Sequence, residues 1–208
     1  MLHTQTVTRE TLELLKALMA LEKLDQFSLV GGTNLSLRFG HRISIDLDLF
    51  TNQPFDAERT FQFLESKFPH IVMASQDENM LFTFINDVKV DMVLLPYPYI
   101  RKIENYDDIR LAAIEDIAAM KLSAIARRGV KKDFWDIAEL LEHFSLSEML
   151  EFYKKKYSFR DIFHLLRSLV YFEDAENQKD PQPLKNQTWS QVRKKVEQAT
   201  KQYVEKHF

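Results

Sequence analysis

FSLVGGTNLSLRFGHRISIDLDLF, residues 27–50, places two of the chain's four glycines side by side. Fourteen residues after Gly32 come Asp46 and Asp48, which alternate with Ile45, Leu47 and Leu49. FSLV (27–30) predicts a short buried strand. Gly31-Gly32 predicts a turn, and Thr33 caps a short helix, NLSLRF, that Gly40 ends. SIDLDLF (44–50) alternates with period two and predicts a second strand. On that strand Asp46 and Asp48 share a face, because residues i and i+2 point the same way.

Two glycines before a capped helix let the backbone approach a ligand closely. The helix N-terminus then offers its N–H groups to an anion such as a phosphate; a plain tight turn explains the same pair. Two carboxylates on one face repel and call for a cation, and Mg²⁺ suits oxygen ligands while also binding substrate phosphates. The competing reading is the solvent-facing side of an amphipathic strand. A third acid, Asp91, lies inside the apolar stretch KVDMV (89–93). A single acid in an apolar setting needs a partner. If its strand lies beside 44–50, three carboxylates converge. One ion could then activate a hydroxyl while another holds a triphosphate, with the glycine turn on the β and γ phosphates.

The remainder of the chain supports a mixed architecture. Helices are predicted at 8–24, 56–67, 114–128, 131–143, 146–156, 159–174 and 188–206, and strands at 70–76, 79–86 and 89–96. Asn86-Asp87 predicts a tight hairpin without the usual glycine. After Pro96 and Pro98 only helices are expected, with a loop at 177–187. Of the 208 residues, 45% are hydrophobic and 28% charged, enough to bury a core. The net charge of −3 does not mark a nucleic-acid binder. Residues 1–110 are net acidic and 111–208 slightly basic, which fits either a polyanion surface in the second half or ordinary solvated helix faces. The absence of cysteine excludes disulfides and thiolate metal sites. The N-terminus lacks a signal-peptide pattern, and no run approaches the ~18 apolar residues of a membrane span. A cytoplasmic protein without membrane contact is expected.

Gly-Gly, a short helix, hydrophobic-Asp-hydrophobic-Asp, and a later hydrophobic-Asp-hydrophobic strand together resemble the DNA polymerase β-like nucleotidyltransferase superfamily. Within it, the spaced string Gly31, Gly32, Thr33, Leu35, Leu37, Arg38, Gly40, His41, Arg42, Ser44, Asp46, Asp48, Phe50 is similar to the AbiEii/AbiGii toxin family. A second block agrees: Glu115, Asp116, Ile117, Ala119, Lys121, Ala124 and Arg128, then Lys132, Asp133, Asp136 and Ile137. The resemblance covers residues ~8–145. It implies an α+β fold: a nucleotidyltransferase mixed sheet with flanking helices, followed by a helical C-terminal region. The expected division is a nucleotidyltransferase core at 1–110 and a helical region at 111–208 that completes the cleft.

The resemblance also implies roles. Gly31, Gly32 and Thr33 would contact phosphates. Asp46 and Asp48 would hold metal, and Asp91 would serve as metal ligand or base. Lys121 would reach a phosphate or the base, and Asp133 would position Lys121 or the acceptor; Asp136 is a further candidate. From spacing alone Lys121 reads equally as a snorkelling surface lysine. Arg128 and Lys132 neutralise phosphates or solvate helix ends. Arg42 and His41 contact ligand or pin their loop. Phe152, Tyr153, Tyr157, Phe159, Phe163, Tyr171 and Phe172, with Lys154–Lys156 and Arg160, form either an RNA clasp or a bundle core. The implied activity is Mg²⁺-dependent transfer of a nucleoside monophosphate from NTP to an acceptor hydroxyl. RNA, as the tRNA 3′ end, is the favoured acceptor. The setting would be a toxin–antitoxin or phage-defence system with a cognate antitoxin. The alternatives are transfer to a small molecule or protein, or nucleotide binding without turnover.

Overall fold

The computed structural model describes residues 1–158 and 161–208. Leucines at helical spacing form α1 (Arg9–Met19), and the Thr8 hydroxyl caps it by accepting from the Thr11 N–H at 3.1 Å. Among the described residues, β1 (Ser28–Leu29), β2 (Leu47–Thr51), β3 (Ile71–Asp77), β4 (Met80–Ile85), β5 (Val88–Leu94), β6 (Glu104–Tyr106) and β7 (Ile109–Leu111) make one sheet. Its order is β3-β4-β5-β2-β1-β7-β6. The β2–β5 and β1–β7 pairs are parallel and the rest antiparallel, so the sheet is mixed. α2 (Gly31–Phe39) follows β1, and α3 (Ala57–Glu65) follows β2. After β7 come α4 (Ile114–Arg128), α5 (Lys131–Leu140), α6 (Leu146–Lys156), α7 (Ile162–Leu169), α8 (Glu173–Glu176) and α9 (Trp189–His207). This is the expected α+β architecture.

Two apolar clusters hold it. Leu15, Leu18, Phe27, Leu47, Leu81 and Met92 belong to one, between the sheet and α1 and α3. Val30 and Leu35 join Ile117, Leu122, Trp135, Tyr153 and Leu169 in the other, among the later helices. Polar ties link them. Buried Asn34 Nδ2 donates to the carbonyls of Leu29 (2.8 Å) and Ala112 (2.9 Å), which sews α2 to the ends of β1 and β7. Buried Asp116 accepts from Lys156 Nζ at 2.7 Å and from the N–H groups of Ile100 and Arg101. That fastens α4 and α6 to the segment after β5.

Four expectations need correcting. First, Gly31 and Gly32 are not a separate turn, and Thr33 is not a cap: α2 starts at Gly31 with Val30 as N-cap. The Thr33 hydroxyl instead donates to the Asp46 carbonyl and is hydrogen-bonded to the Ser44 hydroxyl. Second, the strand at 44–50 is shorter. The Ser44 N–H bonds to the Thr6 carbonyl, and Thr33 takes the Asp46 carbonyl, so 44–46 stay outside the ladder. Third, a hairpin lies where only helices were expected. Asp107 and Asp108 adopt φ of 50° and 64°, matching Asn86 and Asp87 in the predicted hairpin. Short side chains with local hydrogen-bonding groups tolerate this left-handed region. Fourth, 159–174 is not one helix. Phe159 and Arg160 lie outside the described residues, and beyond them α7 closes where Val170 and Tyr171 bond three residues back instead of four.

Candidate active site

The parallel pairing of β2 with β5 sets Asp48 directly opposite Asp91. Both are half-buried. Burial pushes the Asp48 carboxyl above its ordinary 3.8; Lys121 draws it down, while Asp91 and Asp46 push it up further. Asp91 Oδ1 is buried and has no hydrogen-bond partner, while Oδ2 accepts from Lys89. Asp46, one residue before β2, faces Lys132 at 3.3 Å.

The paired glycines are explained here. A Cβ on Gly31 would stand 2.1 Å from Asp48 Oδ2, and Gly31 has φ of +70°. A Cβ on Gly32 would stand 2.0 Å from an Arg42 guanidinium nitrogen. Each glycine is the space into which a site side chain fits. α2, whose first N–H groups no helix can satisfy internally, therefore begins beside the Asp48 carboxylate. Gly31→Ala is expected to displace Asp48 and cut activity at least tenfold. Gly32→Ala should mainly cost stability, about 1–3 kcal/mol from overpacking against Arg42. Activity assays beside thermal melts separate the two.

Behind the glycines lies a buried charge network. Arg42 holds Asp136 through Nε (2.7 Å) and a terminal nitrogen (2.9 Å). His41 Nε2 meets the same carboxylate at 2.8 Å. Lys121 bridges Asp136 (2.6 Å) and Asp133 (2.8 Å). Arg128 forks onto Asp133 at 2.9 and 3.2 Å. Burial alone would raise both carboxyls. Arg42, Lys121 and the His41 hydrogen bond nonetheless hold Asp136 well below 3.8, and Lys121 and Arg128 hold Asp133 below it. Burial likewise opposes the charge on Lys121, but Asp133 and Asp136 raise its pKa, so it stays cationic.

Lys121, Arg128, Asp48, Gly31, Phe50 and Tyr157 line one cleft of about 330 Å³. Met120, Leu95 and Arg127 also line it, and sequence reasoning had not singled these out. Arg127 adjoins the recognised Arg128; apolar positions such as Leu95 and Met120 carry no separable signal in sequence.

 The Arg42 guanidinium donates to Asp136, the Thr33 hydroxyl is bonded to Ser44 and Asp46, and neither residue is among those that line this cleft. Tyr153, Tyr157 and Phe172 are buried in the helical core, as the bundle-core reading has it, whereas Phe163 and Tyr171 are 61% and 47% exposed.

Residues 13–206 match the family described as nucleotidyl transferase AbiEii toxin, type IV toxin–antitoxin system. The chain belongs to the AbiEii nucleotidyltransferase toxin family. It is thus a nucleotidyltransferase. An uncharacterized protein of Aquifex aeolicus (strain VF5) is 34% identical over 205 residues, covering 95% of this chain and 97% of that one. Among solved structures, JHP933 from Helicobacter pylori aligns with a TM-score of 0.57 at 19% identity, covering 96% of this chain and 94% of that one. The nucleotidyltransferase toxin MenT4 of Mycobacterium tuberculosis aligns at 0.56 and 14%, covering 91% and 82%. These two likenesses show the shared fold. Among the described residues of this AbiEii chain, no helix is long and apolar enough to cross a membrane.

The acids fit a divalent cation in chemistry, though not as a complete cage. Among the described residues no three His, Asp or Glu side chains form a group that could hold a metal ion by themselves. Asp48 and Asp91 supply a pair, and Mg²⁺ ordinarily takes its remaining ligands from water and substrate phosphates. Asp91 Oδ1 is buried without a hydrogen-bond partner, and the Asp48 carboxylate lies beside Gly31. Lys89 and Lys132 are 43% and 48% exposed at their side chains. Their partners are more buried, Asp91 at 14% and Asp46 at 30% exposure, so a cation at this site would compete with Lys89 and Lys132 for the two carboxylates.

Proposed function

We propose that the protein transfers a nucleoside monophosphate from NTP to an acceptor hydroxyl on RNA, with the tRNA 3′ end as the favoured acceptor. The pairing of Asp48 with Asp91, at the N-terminus of α2 and with one buried carboxylate oxygen unpartnered, carries this reading. Asp48 and Asp91, with Asp46 beside them, would hold Mg²⁺, which when bound offsets the charge of the triphosphate. The N–H groups of Gly31, Gly32 and Thr33 orient the phosphates. Lys121 and Arg128 keep the cleft cationic. The acceptor oxygen attacks the α-phosphorus, the bond from that phosphorus to the pyrophosphate oxygen breaks, and Asp91 takes the hydroxyl proton. Catalysis is then mainly positioning and charge stabilisation.

On this reading residues 1–110 form the nucleotidyltransferase core, and 111–208 close the cleft with Lys121, Arg128 and Tyr157. The setting is a cytoplasmic toxin–antitoxin or phage-defence system, in which a cognate antitoxin opposes the enzyme. Purified protein with Mg²⁺, each α-labelled NTP and total small RNA tests it. Label should enter RNA with wild type and not with Asp48→Ala. Label on small molecules or on protein would assign another acceptor, and NTP binding without transfer to any acceptor would mark a binding protein.

A further inference from the structure

The face of the sheet that carries Asp48 and Asp91 continues beyond them onto β4 and β3. Register defines it. Asp91 pairs with Phe82, Lys89 with Phe84, and Val93 with Met80. Phe84 in turn pairs with Val72 on β3. Residues paired in register project to one face, so Phe82 and Phe84 share the face of the acids. The opposite face of these strands is closed: Leu81, Thr83, Ile85, Val90 and Met92 are fully buried. The acid-bearing face is open, with Val72 63%, Phe84 42% and Met80 36% exposed.

Single exposed apolar residues are ordinary. Here two phenylalanines stand at i and i+2 on one strand, the first beside an acid of the site and the second beside a lysine. We propose that this face of β3, β4 and β5 is the acceptor platform, and that it takes the unpaired 3′ end of an RNA. The terminal hydroxyl would lie at Asp91, with preceding bases stacked on Phe82 and Phe84 and Lys89 facing the phosphate backbone. Sheet-borne aromatics stack splayed bases in this manner, and stacking tolerates any base. Positions i and i+2 lie about 6.8 Å apart along a strand, which separates two stacking stations. The patch crosses three strands, more than a small acceptor would cover; Lys89, paired with Asp91 here, is the cation that it turns to a phosphate, and Asp77 stands in register with Met80 at the far end of the face. The inference rests on the RNA-acceptor reading and adds the surface that binds the RNA.

The test uses a single-stranded oligoribonucleotide with a free 3′ hydroxyl and a 5′ fluorophore. Its affinity is measured by anisotropy for wild type, Phe84→Ala, the Phe82→Ala/Phe84→Ala double variant and Phe84→Trp. Transfer from labelled NTP is followed in parallel, and thermal melts check folding. Loss of one stacked base should weaken binding about 5- to 150-fold. KM for RNA should rise with it, KM for NTP should stay unchanged, and Phe84→Trp should retain wild-type affinity. If wild type labels RNA and the alanine variants bind and label it equally well, the platform is wrong while the RNA-acceptor reading stands. If wild type neither binds nor labels RNA, both fall. If the alanine variants instead lose labelling of a protein acceptor, the face docks protein and the proposal is overturned.

Discussion

Asp48→Asn is expected to lower nucleotidyl transfer about a thousandfold and, without divalent ions, to stabilise the fold at neutral pH. The rate follows from lost charge stabilisation of several kcal/mol, at 1.36 kcal/mol per factor of ten. The stability follows from linkage. Burial, with Asp91 and Asp46 nearby, raises the folded-state pKa of Asp48 above 3.8. Its contribution to stability is therefore fully present below the unfolded value and is lost as pH rises through the folded value. Asparagine is neutral and escapes that loss. Chemical denaturation at pH 7 in a chelator checks the direction, and activity assays with Mg²⁺ check the rate. A variant that is slower but also less stable would place Asp48 in an ordinary structural role.

Asp136→Ala is expected to destabilise the protein by about 3–5 kcal/mol, because it leaves buried cations without their counter-charge. Arg42 and Lys121 are 4% and 5% exposed and both bind this carboxylate. For a chain of this length the melting temperature should fall by roughly 6–20 °C. Activity should fall too, since Lys121 loses one of the two acids that hold it. The pH dependence runs opposite to that of Asp48. Asp133 and Asp136 have folded pKa values below 3.8, so their stabilisation is present above the unfolded value and is lost as pH falls through the folded values. Acid melts of wild type should therefore be steep below about pH 4, and those of Asp136→Ala shallower.

Much of the site was legible because its residues break local rules. Asp91 stands in an apolar strand, Asp46 and Asp48 alternate with aliphatics, and a glycine-poor chain sets two glycines together. What sequence could not give was the reason for those glycines. They accommodate Asp48 and Arg42, residues 17 and 10 positions away, and such contacts follow from tertiary packing. The same limit hid the difference among the three acids. Period-two alternation treats Asp46 and Asp48 alike, but hydrogen bonds from Thr33 and to Thr6 draw 44–46 out of the ladder. The β6–β7 hairpin was missed for a local reason. Asp107-Asp108 lacks glycine, and its strands have three residues each, too few to show a period. The charge network was legible only as a list, because Arg42 and Asp136 lie 94 residues apart.

Mn²⁺ binding followed by electron paramagnetic resonance, with a non-hydrolysable NTP analogue, tests the central claim most directly. Wild type should bind the ion with its nucleotide. Asp48→Asn and Asp91→Asn should each weaken that binding at least tenfold, while an exposed acid elsewhere, as in Glu58→Gln, should leave it unchanged. Equal Mn²⁺ affinity in wild type and both site variants would contradict the account.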